Sequence, residues 1–346
     1  MPNGSTLDDQ LARWARDDTT RLATARTIAE LARACMEISA LVAQGALAGE
    51  LGAPTGKTSG VDPQKKLDLV ANDLIIAPLQ RAPVAALTSE ELVEPQLIEP
   101  GAPLLVAVDP IDGSSNINAN LSIGTIFSIL PAISGDGDPR EFLQPGTRQR
   151  AAGFAVYGPS TTLALTMGEG TQLYTLDHAS GRFMLTHPDA VVPVATQEYA
   201  INASNHRFWD DPVRTYVDDL LRGRDGPRNK NFNMRWTATP AADVYRILTR
   251  GGIFLYPGDL RDGYAQGRLR LLYEASPLAF VVEQAGGAAF NGHDRILELV
   301  PSSIHQHTPV VAGSRAEVEY VVRLHRDPNG LAERSPLFGR RGLFRT

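Results

Sequence analysis

The stretch that decides the fold is Leu104–Leu130, LLVAVDPIDGSSNINANLSIGTIFSIL. It begins with an apolar run, Leu104–Val108, which is typical of a buried β-strand. Asp109 and Asp112 follow this run, and Gly113–Asn116 then forms a turn rich in hydrogen-bond donors. The sequence therefore predicts two carboxylates and a donor-rich turn at the end of a buried strand.

The chemistry of this stretch favours a metal-dependent phosphate site. Two carboxylates so close together repel each other unless a cation lies between them, and hard oxygen ligands suit Mg²⁺ or Mn²⁺. The turn at Gly113, Ser114 and Ser115 offers backbone N–H groups and hydroxyls to an anion such as phosphate. The alternative is a plain turn that ends a strand, because Asp, Pro and Gly are ordinary turn formers. For DPIDG in isolation the plain turn is the better interpretation, so other parts of the chain must decide.

The composition indicates a soluble globular protein with a large core. The chain has 346 residues, 43% of them hydrophobic and 21% charged, with a net charge of −6. This charge does not favour binding to nucleic acid or to an acidic membrane surface. The single cysteine, Cys35, excludes an internal disulfide and fits a reducing compartment. We see no signal peptide and no apolar run close to the roughly 20 residues that span a bilayer. A cytoplasmic protein without membrane or nucleic-acid partners is expected.

Hydrophobic periodicity divides the chain into two α/β halves, predicted at 1–195 and 196–346. In the first half we predict helices at 20–48 and 64–80, a mobile loop at Gly49–Gly60, and strands at 84–87, 104–108, 123–130, 151–157, 161–167 and 172–176. In the second half we predict strands at 199–202, 253–256 and 310–312 and helices at 210–222, 240–250, 277–285 and 315–325.

Acidic residues lie at the ends of several predicted elements. Glu90 and Glu91 follow the strand at 84–87, and Glu274 follows an apolar run at 269–273 that we interpret as a strand. Asp62 ends the predicted loop and Asp68 lies in the next helix. If these acids meet at one edge, their repulsion costs several kcal/mol, and divalent cations are the natural solution. Any one of them alone is more simply a solvated surface carboxylate.

A second group of residues suits a phosphorylated sugar. These residues are Asn202, Asn205, Arg235, Tyr256, Arg268 and Arg270. Arginine binds phosphate through two parallel N–H groups. On spacing alone, however, a simpler interpretation is favoured: Tyr256 is a core aromatic, and Arg268 and Arg270 form the exposed face of a strand.

Taken together, these motifs closely resemble class 1 fructose-1,6-bisphosphatase, within the superfamily that includes inositol monophosphatase. DPIDGSSN at 109–116 is similar to the metal and phosphate motif of that superfamily. The blocks that narrow the resemblance to the family are DPQKKLD at 62–68, TSEE at 88–91, GGIFLYP at 251–257 and GRLRLLYE at 267–274. They occur in the order of the family, and the resemblance covers most of residues 20–325.

The resemblance implies a layered αβαβα sugar-phosphatase fold, a homotetramer, and hydrolysis of the 1-phosphate of fructose 1,6-bisphosphate with Mg²⁺, for which Mn²⁺ is a possible substitute. The implied metal-site residues are Glu90, Glu91, Asp109, Ile111 (through its carbonyl), Asp112 and Glu274. The implied catalytic residues, which activate water, are Glu91, Asp68 and Asp62. The implied substrate-binding residues are Asp112, Gly113, Ser114, Ser115, Asn202, Arg235 (from a neighbouring subunit), Tyr256 and Arg268.

The chain departs from the family pattern away from the metal motifs. Arg268 stands where the family commonly has Lys, while Trp236 and Asn205 stand where it commonly has Tyr. At the positions where AMP-inhibited relatives carry Lys, Tyr and Arg, this chain has Pro103, Leu104 and Pro131. We therefore expect weak or absent inhibition by AMP.

Three alternatives stay open at this point. The first is a dual enzyme that also cleaves sedoheptulose 1,7-bisphosphate, so that gluconeogenesis and the Calvin cycle are both plausible settings. The second is an inositol or nucleotide phosphatase, against which the GRLRLLYE block argues. The third is a non-catalytic sugar-phosphate-binding regulator. That protein would be expected to lack a metal ligand, yet every expected carboxylate is present.

Overall fold

The chain forms both helices and strands. The computed structural model describes residues 4–59 and 62–327, except for the side chains of residues 57–63. The helices are α1 Leu7–Ala15, α2 Thr19–Gln44, α3 Lys66–Leu79, α4 Asp211–Leu221, α5 Pro240–Arg250, α6 Ser276–Gln284 and α7 Arg315–Arg326. The strands of the first part are β1 Pro54–Ser59, β2 Asp62–Lys65, β3 Val84–Ser89, β4 Gln96–Leu97, β5 Leu104–Asp112, β6 Ile123–Pro131, β7 Ala151–Tyr157, β8 Thr161–Thr166, β9 Thr171–Asp177 and β10 Arg182–His187. Those of the second part are β11 Glu198–Ala200, β12 Asn233–Met234, β13 Ile253–Tyr256, β14 Leu269–Arg270, β15 Ala288–Phe290, β16 His307–Thr308 and β17 Val310–Gly313.

Besides two two-stranded sheets, β1–β2 and β14–β16, the described residues form two large sheets. The large sheets alternate with three helical layers, which confirms the predicted αβαβα architecture. The first sheet has eight strands in the order β10-β9-β8-β7-β6-β5-β3-β4, and the second has five in the order β12-β11-β13-β17-β15. Helices α1–α3 pack on the outer face of the first sheet. Helices α5 and α6 lie between the two sheets, and α4 and α7 cover the second sheet.

The strand that carries the decisive motif lies deep in the first sheet. β5 pairs with β3 in parallel and with β6 in antiparallel fashion, and each of its nine residues is buried. A strand covered on both faces needs apolar residues at every position, which explains the uninterrupted run at Leu104–Val108. The carboxyl ends of β3 and β5 therefore meet at one edge of the sheet, with the acids beyond them.

Several predicted elements have the predicted bounds, and some do not. The strands at 151–157 and 253–256 are confirmed to the residue. The predicted loop Gly49–Gly60 is wrong in part, because β1 lies within it and pairs with β2. The predicted strand at 269–273 is also wrong beyond Arg270, since Leu271–Ala275 forms a π-helical turn that continues into α6. Helix α1 and strand β10 have no counterpart among the predicted elements.

Helix α2 is long and apolar, although no membrane-spanning segment was expected from the sequence. Thr19–Ala48, which includes α2 and a short 3₁₀ turn, is long and apolar enough to cross a bilayer by length and composition alone. In this fold Ile28, Leu31, Cys35 and Ile38 of α2 are buried in the core beneath the first sheet. Core helices often pass the same test, so the finding is weak support for a membrane segment.

Candidate active site

A β-bulge brings the two aspartates of β5 to the same side. In a regular strand, residues three positions apart point to opposite faces of the sheet. Here Asp109 lies opposite Ile126 and Asp112 opposite Gly124, so the register shifts by one residue between them. The extra residue restores a common direction for the two carboxylates. Glu274 joins them from the π-helical turn, and one oxygen of each acid lies within 4.8 Å of the others.

The burial of these three acids sets their protonation. The pKa of Asp109 and that of Glu274 are both raised well above their usual values. The larger cause is desolvation, and the second is the negative charge of Glu90. Desolvation likewise raises the pKa of Asp112 to about 8, although the backbone N–H of Ala241 lowers it. Buried carboxylates that repel one another in this way are stabilised by a divalent cation with oxygen ligands.

Glu90 and Glu91 approach this trio from the end of β3. The backbone N–H of Glu90 donates to the carbonyl of Val108 at 3.1 Å, which extends the β3–β5 pairing by one residue. The Glu91 carboxylate accepts a hydrogen bond from the amide of Gln64. Desolvation raises the pKa of Glu91, while Gln64 and Arg270 lower it. Thus Gln64, which the sequence analysis did not single out, orients an acid predicted to be catalytic.

Asp68 lies at the start of α3 on the same side. Its Oδ2 accepts the backbone N–H of Lys65 at 2.5 Å, and its Oδ1 is buried without a hydrogen-bond partner among the described residues. Desolvation raises the pKa of Asp68 to about 7; the Lys65 N–H lowers it, and Glu91 and Glu90 raise it further. The side chain of Asp62, also predicted to be catalytic, lies outside the described residues.

The turn after Asp112 has a fixed backbone. Gly113 has φ +80°, and a Cβ atom there would lie 2.2 Å from Oγ1 of Thr239, so only glycine fits. The amide of Asn116 donates to Oγ1 of Thr239 at 2.8 Å. Ser114 and Ser115 begin the 3₁₀ turn that follows and are not buried. Their hydroxyls and backbone N–H groups are therefore accessible to an anion.

Ile111 lies between the two aspartates of β5. Its backbone N–H donates to Oδ1 of Asp109 at 3.0 Å, which closes a small local turn and fixes that carboxylate. The proposed role of its carbonyl as a metal ligand stays a prediction.

Arg270 was predicted either to contact a phosphorylated sugar or to lie on the exposed face of a strand, and the structure places it elsewhere. It is 4% exposed, and its Nη2 lies 3.5 Å from Oε1 of Glu90. Its backbone N–H donates to Oε2 of Glu274 at 2.6 Å. Arg270 is therefore not on an exposed face, and it does not line the cavity that contains Arg268. It is a buried cation beside the acids, at the end of β14 and directly before the π-helical turn.

A second feature of the structure is a cavity of about 110 Å³, which we call the Arg268 cavity. Its lining includes Asn202, Asn205, Trp236, Tyr256, Asp259, Arg261, Tyr264 and Arg268. The cavity thus brings together Asn202, Tyr256 and Arg268, and their binding of a substrate stays a prediction. Arg268 is two residues from Arg270, so one short segment links the cavity to the acids. The exposed Arg235 does not line the cavity.

Trp236, one of the departures from the family pattern, packs within an aromatic group at this cavity. Its ring lies 5.9 Å from that of Phe254, nearly parallel to it, and 5.7 Å from that of Tyr256. The indole therefore supports Tyr256 from one side. A larger cavity of about 740 Å³ lies elsewhere, beside the C-terminal end of α2, and does not include the acids.

Comparison with known proteins agrees with this geometry. Family models described as "Fructose-1-6-bisphosphatase, N-terminal domain" and "Fructose-1-6-bisphosphatase, C-terminal domain" match residues 10–188 and 192–326. A class 1 fructose-1,6-bisphosphatase of Rhizobium meliloti (strain 1021) is 53% identical over 347 residues, covering 99% of each chain. One of Methylorubrum populi is 52% identical, covering 100% of this chain and 99% of its own.

Solved structures show the same similarity. The holo form of Leishmania major fructose-1,6-bisphosphatase superposes with a TM-score of 0.87 at 33% identity, covering 94% of this chain and 100% of its own. The T-state of the Leishmania major enzyme gives a TM-score of 0.83 at 32% identity, with the same coverage. The similarity extends over both sheets and all three helical layers.

Proposed function

The chain belongs to the class 1 fructose-1,6-bisphosphatase family, and on that premise we propose that it uses Mg²⁺ to hydrolyse the 1-phosphate of D-fructose 1,6-bisphosphate. The products are fructose 6-phosphate and phosphate. The observation that carries the proposal is the buried trio Asp109, Asp112 and Glu274, whose oxygens lie within 4.8 Å of one another. Mn²⁺ is the expected substitute, because it takes the same oxygen ligands.

The residues present fit such a cation. The donor set consists of carboxylate oxygens, and their raised pKa values come from burial and mutual repulsion. A divalent cation relieves the repulsion and favours the ionised form. We assign Glu90 and Glu91, together with the carbonyl of Ile111, to the same site. When bound, Mg²⁺ supplies charge neutralisation and polarisation of the phosphate.

The side chains of this chain then supply the proton transfer and the positioning. Asp68 and Glu91 accept the proton of the attacking water, and Asp62 helps them to activate it. A pKa near 7 suits a base that works at neutral pH, and that of Asp68 is raised to about 7. Gln64 holds the Glu91 carboxylate in one orientation.

The two ends of the substrate are held by different elements. Gly113, Ser114 and Ser115 hold the 1-phosphate through N–H groups and hydroxyls. Asn202, Tyr256 and Arg268 hold the sugar and the 6-phosphate in the Arg268 cavity. Arg235 reaches that phosphate from a neighbouring subunit of a homotetramer, for which its exposure on the chain surface is the supporting observation.

Weak inhibition by AMP is part of the proposal. Leu104 and Pro131 lie opposite each other at the far end of the β5–β6 pair, and Leu104 is buried. Pro103 precedes them. None of the three residues carries a charge that could pair with a nucleotide phosphate. Strong inhibition at micromolar AMP would refute this part.

The proposed domain division, cellular location and metabolic role rest on the sequence and on the layers of the fold. A division at 1–195 and 196–346 is supported by the sheets, since β10 ends the first sheet at His187 and β11 of the second begins at Glu198. A cytoplasmic location, and a role in gluconeogenesis or the Calvin cycle, stay predictions.

The deciding experiment measures phosphate release from fructose 1,6-bisphosphate and sedoheptulose 1,7-bisphosphate, each with Mg²⁺ and with EDTA. We expect EDTA to abolish turnover of the fructose substrate. Comparable rates on the longer sugar would favour the dual-substrate alternative and a carbon-fixation setting. Release from neither would overturn the substrate assignment and favour the regulator.

A further inference from the structure

A chain of hydrogen bonds reaches the bulge of β5 from the face of the sheet opposite to the acids. Thr125 of β6 is fully buried, and its hydroxyl donates to the carbonyl of Pro110 at 2.8 Å. Pro110 lies between Asp109 and Asp112, where the register shifts. Proline has no backbone N–H, so its carbonyl is the only backbone group through which a hydrogen bond can hold it. The function proposed above gives Thr125 no role.

Thr125 belongs to the core beneath α1–α3, whereas the acids face the layer between the two large sheets. Residues two positions apart on a strand share a face. The neighbours of Thr125 at that spacing, Ile123 and Phe127, belong to the core that contains α2. Asp112 instead accepts the N–H of Ala241 on α5. The Thr125 hydroxyl therefore holds the bulge from the face away from the carboxylates.

The donors and acceptors of this chain follow from simple chemistry. A carbonyl oxygen carries no proton, so the single hydroxyl proton of Thr125 goes to Pro110. The hydroxyl of Tyr157 lies 2.8 Å from that of Thr125, and Tyr157 must be the donor of this bond. Tyr157 also forms a hydrogen bond with the thiol of Cys35 on α2. Burial raises the pKa of this thiol to about 11, so the thiol keeps its proton and donates to Tyr157.

The hydrogen bonds therefore run in one direction, from Cys35 through Tyr157 and Thr125 to the Pro110 carbonyl. Bonds that point the same way polarise one another, which strengthens the last of them. All four residues are buried, and a buried carbonyl that loses a donor is destabilised. The backbone conformation of the bulge thus depends on the hydroxyl of Thr125.

We infer that Thr125 is a positioning residue for the proposed metal site, because it fixes the bulge that turns Asp109 and Asp112 to one side. The inference rests on the proposed function and deepens it, since it identifies what holds the backbone of two ligands in place. Without the hydroxyl, the peptide group at Pro110 gains freedom, and the two carboxylates lose their fixed relative position. Groups that orient metal ligands in this way govern the affinity for the metal.

The test compares Thr125→Val, which has nearly the same shape but no hydroxyl, with Thr125→Ser, which keeps the hydroxyl. Thr171→Val is the matched control. Thr171 is also fully buried, but its hydroxyl donates to the carbonyl of Val281 at 2.7 Å and not to the bulge. Mg²⁺ affinity is measured by calorimetry without substrate, and turnover of fructose 1,6-bisphosphate is measured over a range of Mg²⁺ concentrations.

We expect Thr125→Val to weaken Mg²⁺ binding by about 10- to 100-fold, the usual effect of losing a group that orients metal ligands. Turnover should fall at low Mg²⁺ and recover in part at high Mg²⁺. Thr125→Ser should stay within about threefold of the wild type, because it keeps the donor, and Thr171→Val should match the wild type. Equal affinity in all four proteins, or equal losses in the two valine variants, would overturn the inference.

Tyr157→Phe carries the test if Thr125→Val does not fold. This variant removes the bond donated to Thr125 but leaves the bond from Thr125 to Pro110. Mg²⁺ should therefore bind more weakly by about two- to fivefold, since only the polarisation of the last bond is lost. Unchanged Mg²⁺ affinity in Tyr157→Phe would then overturn the inference.

Amide hydrogen exchange in EDTA separates this inference from the proposed function, because it needs neither metal nor substrate. Exchange over residues 109–113, which include the Ile111 N–H bonded to Asp109, should be about 10-fold faster in Thr125→Val and unchanged in Thr171→Val. Wild-type protein that neither binds Mg²⁺ nor turns over the substrate would contradict the proposed function, while faster exchange would still support the role of Thr125. Exchange at the wild-type rate in Thr125→Val overturns that role, whatever the metal affinity.

Discussion

Oδ2 of Asp112 accepts a 2.7 Å hydrogen bond from the backbone N–H of Ala241, which lies in the first turn of helix α5. These residues are 129 positions apart. The first-turn N–H groups of a helix lack partners within the helix, and they favour a negative charge. The contact therefore fixes one proposed metal ligand on the first sheet to the helical layer between the sheets. It also lowers the pKa of Asp112, although burial outweighs this effect and raises it.

Replacing Asp112 by Asn should remove most activity without unfolding the protein. The amide oxygen of Asn can still accept the Ala241 N–H, but the charge that holds the cation is lost. We expect kcat/KM to fall by at least about 100-fold, with an unchanged thermal midpoint in EDTA or a higher one. Asp73→Asn, an exposed position on α3, is the control. An unfolded variant, or near-normal turnover, would count against the assigned role.

The stability of the metal-free protein should fall as the pH rises from about 5 to 8. The pKa of Asp112 is raised from 3.8 to about 8 and that of Asp68 to about 7, so the folded state binds more protons than the unfolded state in this window. Their contribution is therefore fully present below the unfolded pKa and lost as the pH passes the folded one. Urea titrations in EDTA at several pH values measure how the free energy of unfolding changes with pH.

Saturating Mg²⁺ should stabilise the protein and make its free energy of unfolding depend less on pH. Binding at 100 times the Kd contributes about 2.7 kcal/mol by mass action. The cation should also displace protons from the acids, which a pH-indicator titration would detect. A stability that is independent of pH in EDTA, or Mg²⁺ binding without proton release, would contradict the account of these carboxylates.

Replacing Arg270 by Met should destabilise the metal-free protein more than the Mg²⁺-loaded one. The buried guanidinium lies 3.5 Å from the carboxylate of Glu90, and its removal takes the cation away from that acid, which costs about 3–5 kcal/mol. Bound Mg²⁺ supplies positive charge at the same place and reduces the loss. Arg295→Met is the control, because Arg295 pairs with Glu283 and Glu298 rather than with these acids. Equal losses with and without Mg²⁺ would show that Arg270 acts through packing.

Glu141 should stabilise the loop after β6 in a pH-dependent manner. Its carboxylate accepts the backbone N–H groups of Ile133 at 2.7 Å and of Gly135 at 3.1 Å. Burial raises its pKa, but these bonds and the Ser134 hydroxyl outweigh burial and lower it to about 2. This stability is present above the unfolded pKa of 4.5 and lost as the pH falls towards 2.

The variant Glu141→Gln tests the pH-dependent stabilisation by Glu141 when it is compared with the wild type at two pH values. At pH 7 we expect a loss of about 1–3 kcal/mol in the free energy of unfolding, since a charged acceptor becomes a neutral one. Near pH 2 the wild type and the variant should have similar stability. Glu169→Gln, at an exposed residue that pairs with Arg21, should cost much less. A loss of equal size at both pH values would be inconsistent with the lowered pKa.

Much of the fold follows from local patterns. The apolar runs of β5, β6 and β7 predict buried strands, and the helical spacing of apolar residues in α2 predicts a helix. Both follow because residues that face the core recur at fixed intervals along the chain. The short turn at 271–275 was not predictable in the same way. Its residues are all buried, and an apolar run of that length fits a strand and a helical turn equally well.

For the site, the sequence by itself determined the chemical groups: the acids, the donor-rich turn and the arginines. The tertiary structure decided which of them meet. The bulge in β5 turns Asp109 and Asp112 to one side, the π-turn delivers Glu274, and packing buries Arg270 against Glu90. The physical reason is that sequence patterns report burial over a few neighbouring residues. Contacts across more than a hundred residues instead depend on how sheets and helices pack, as the bond between Asp112 and Ala241 does.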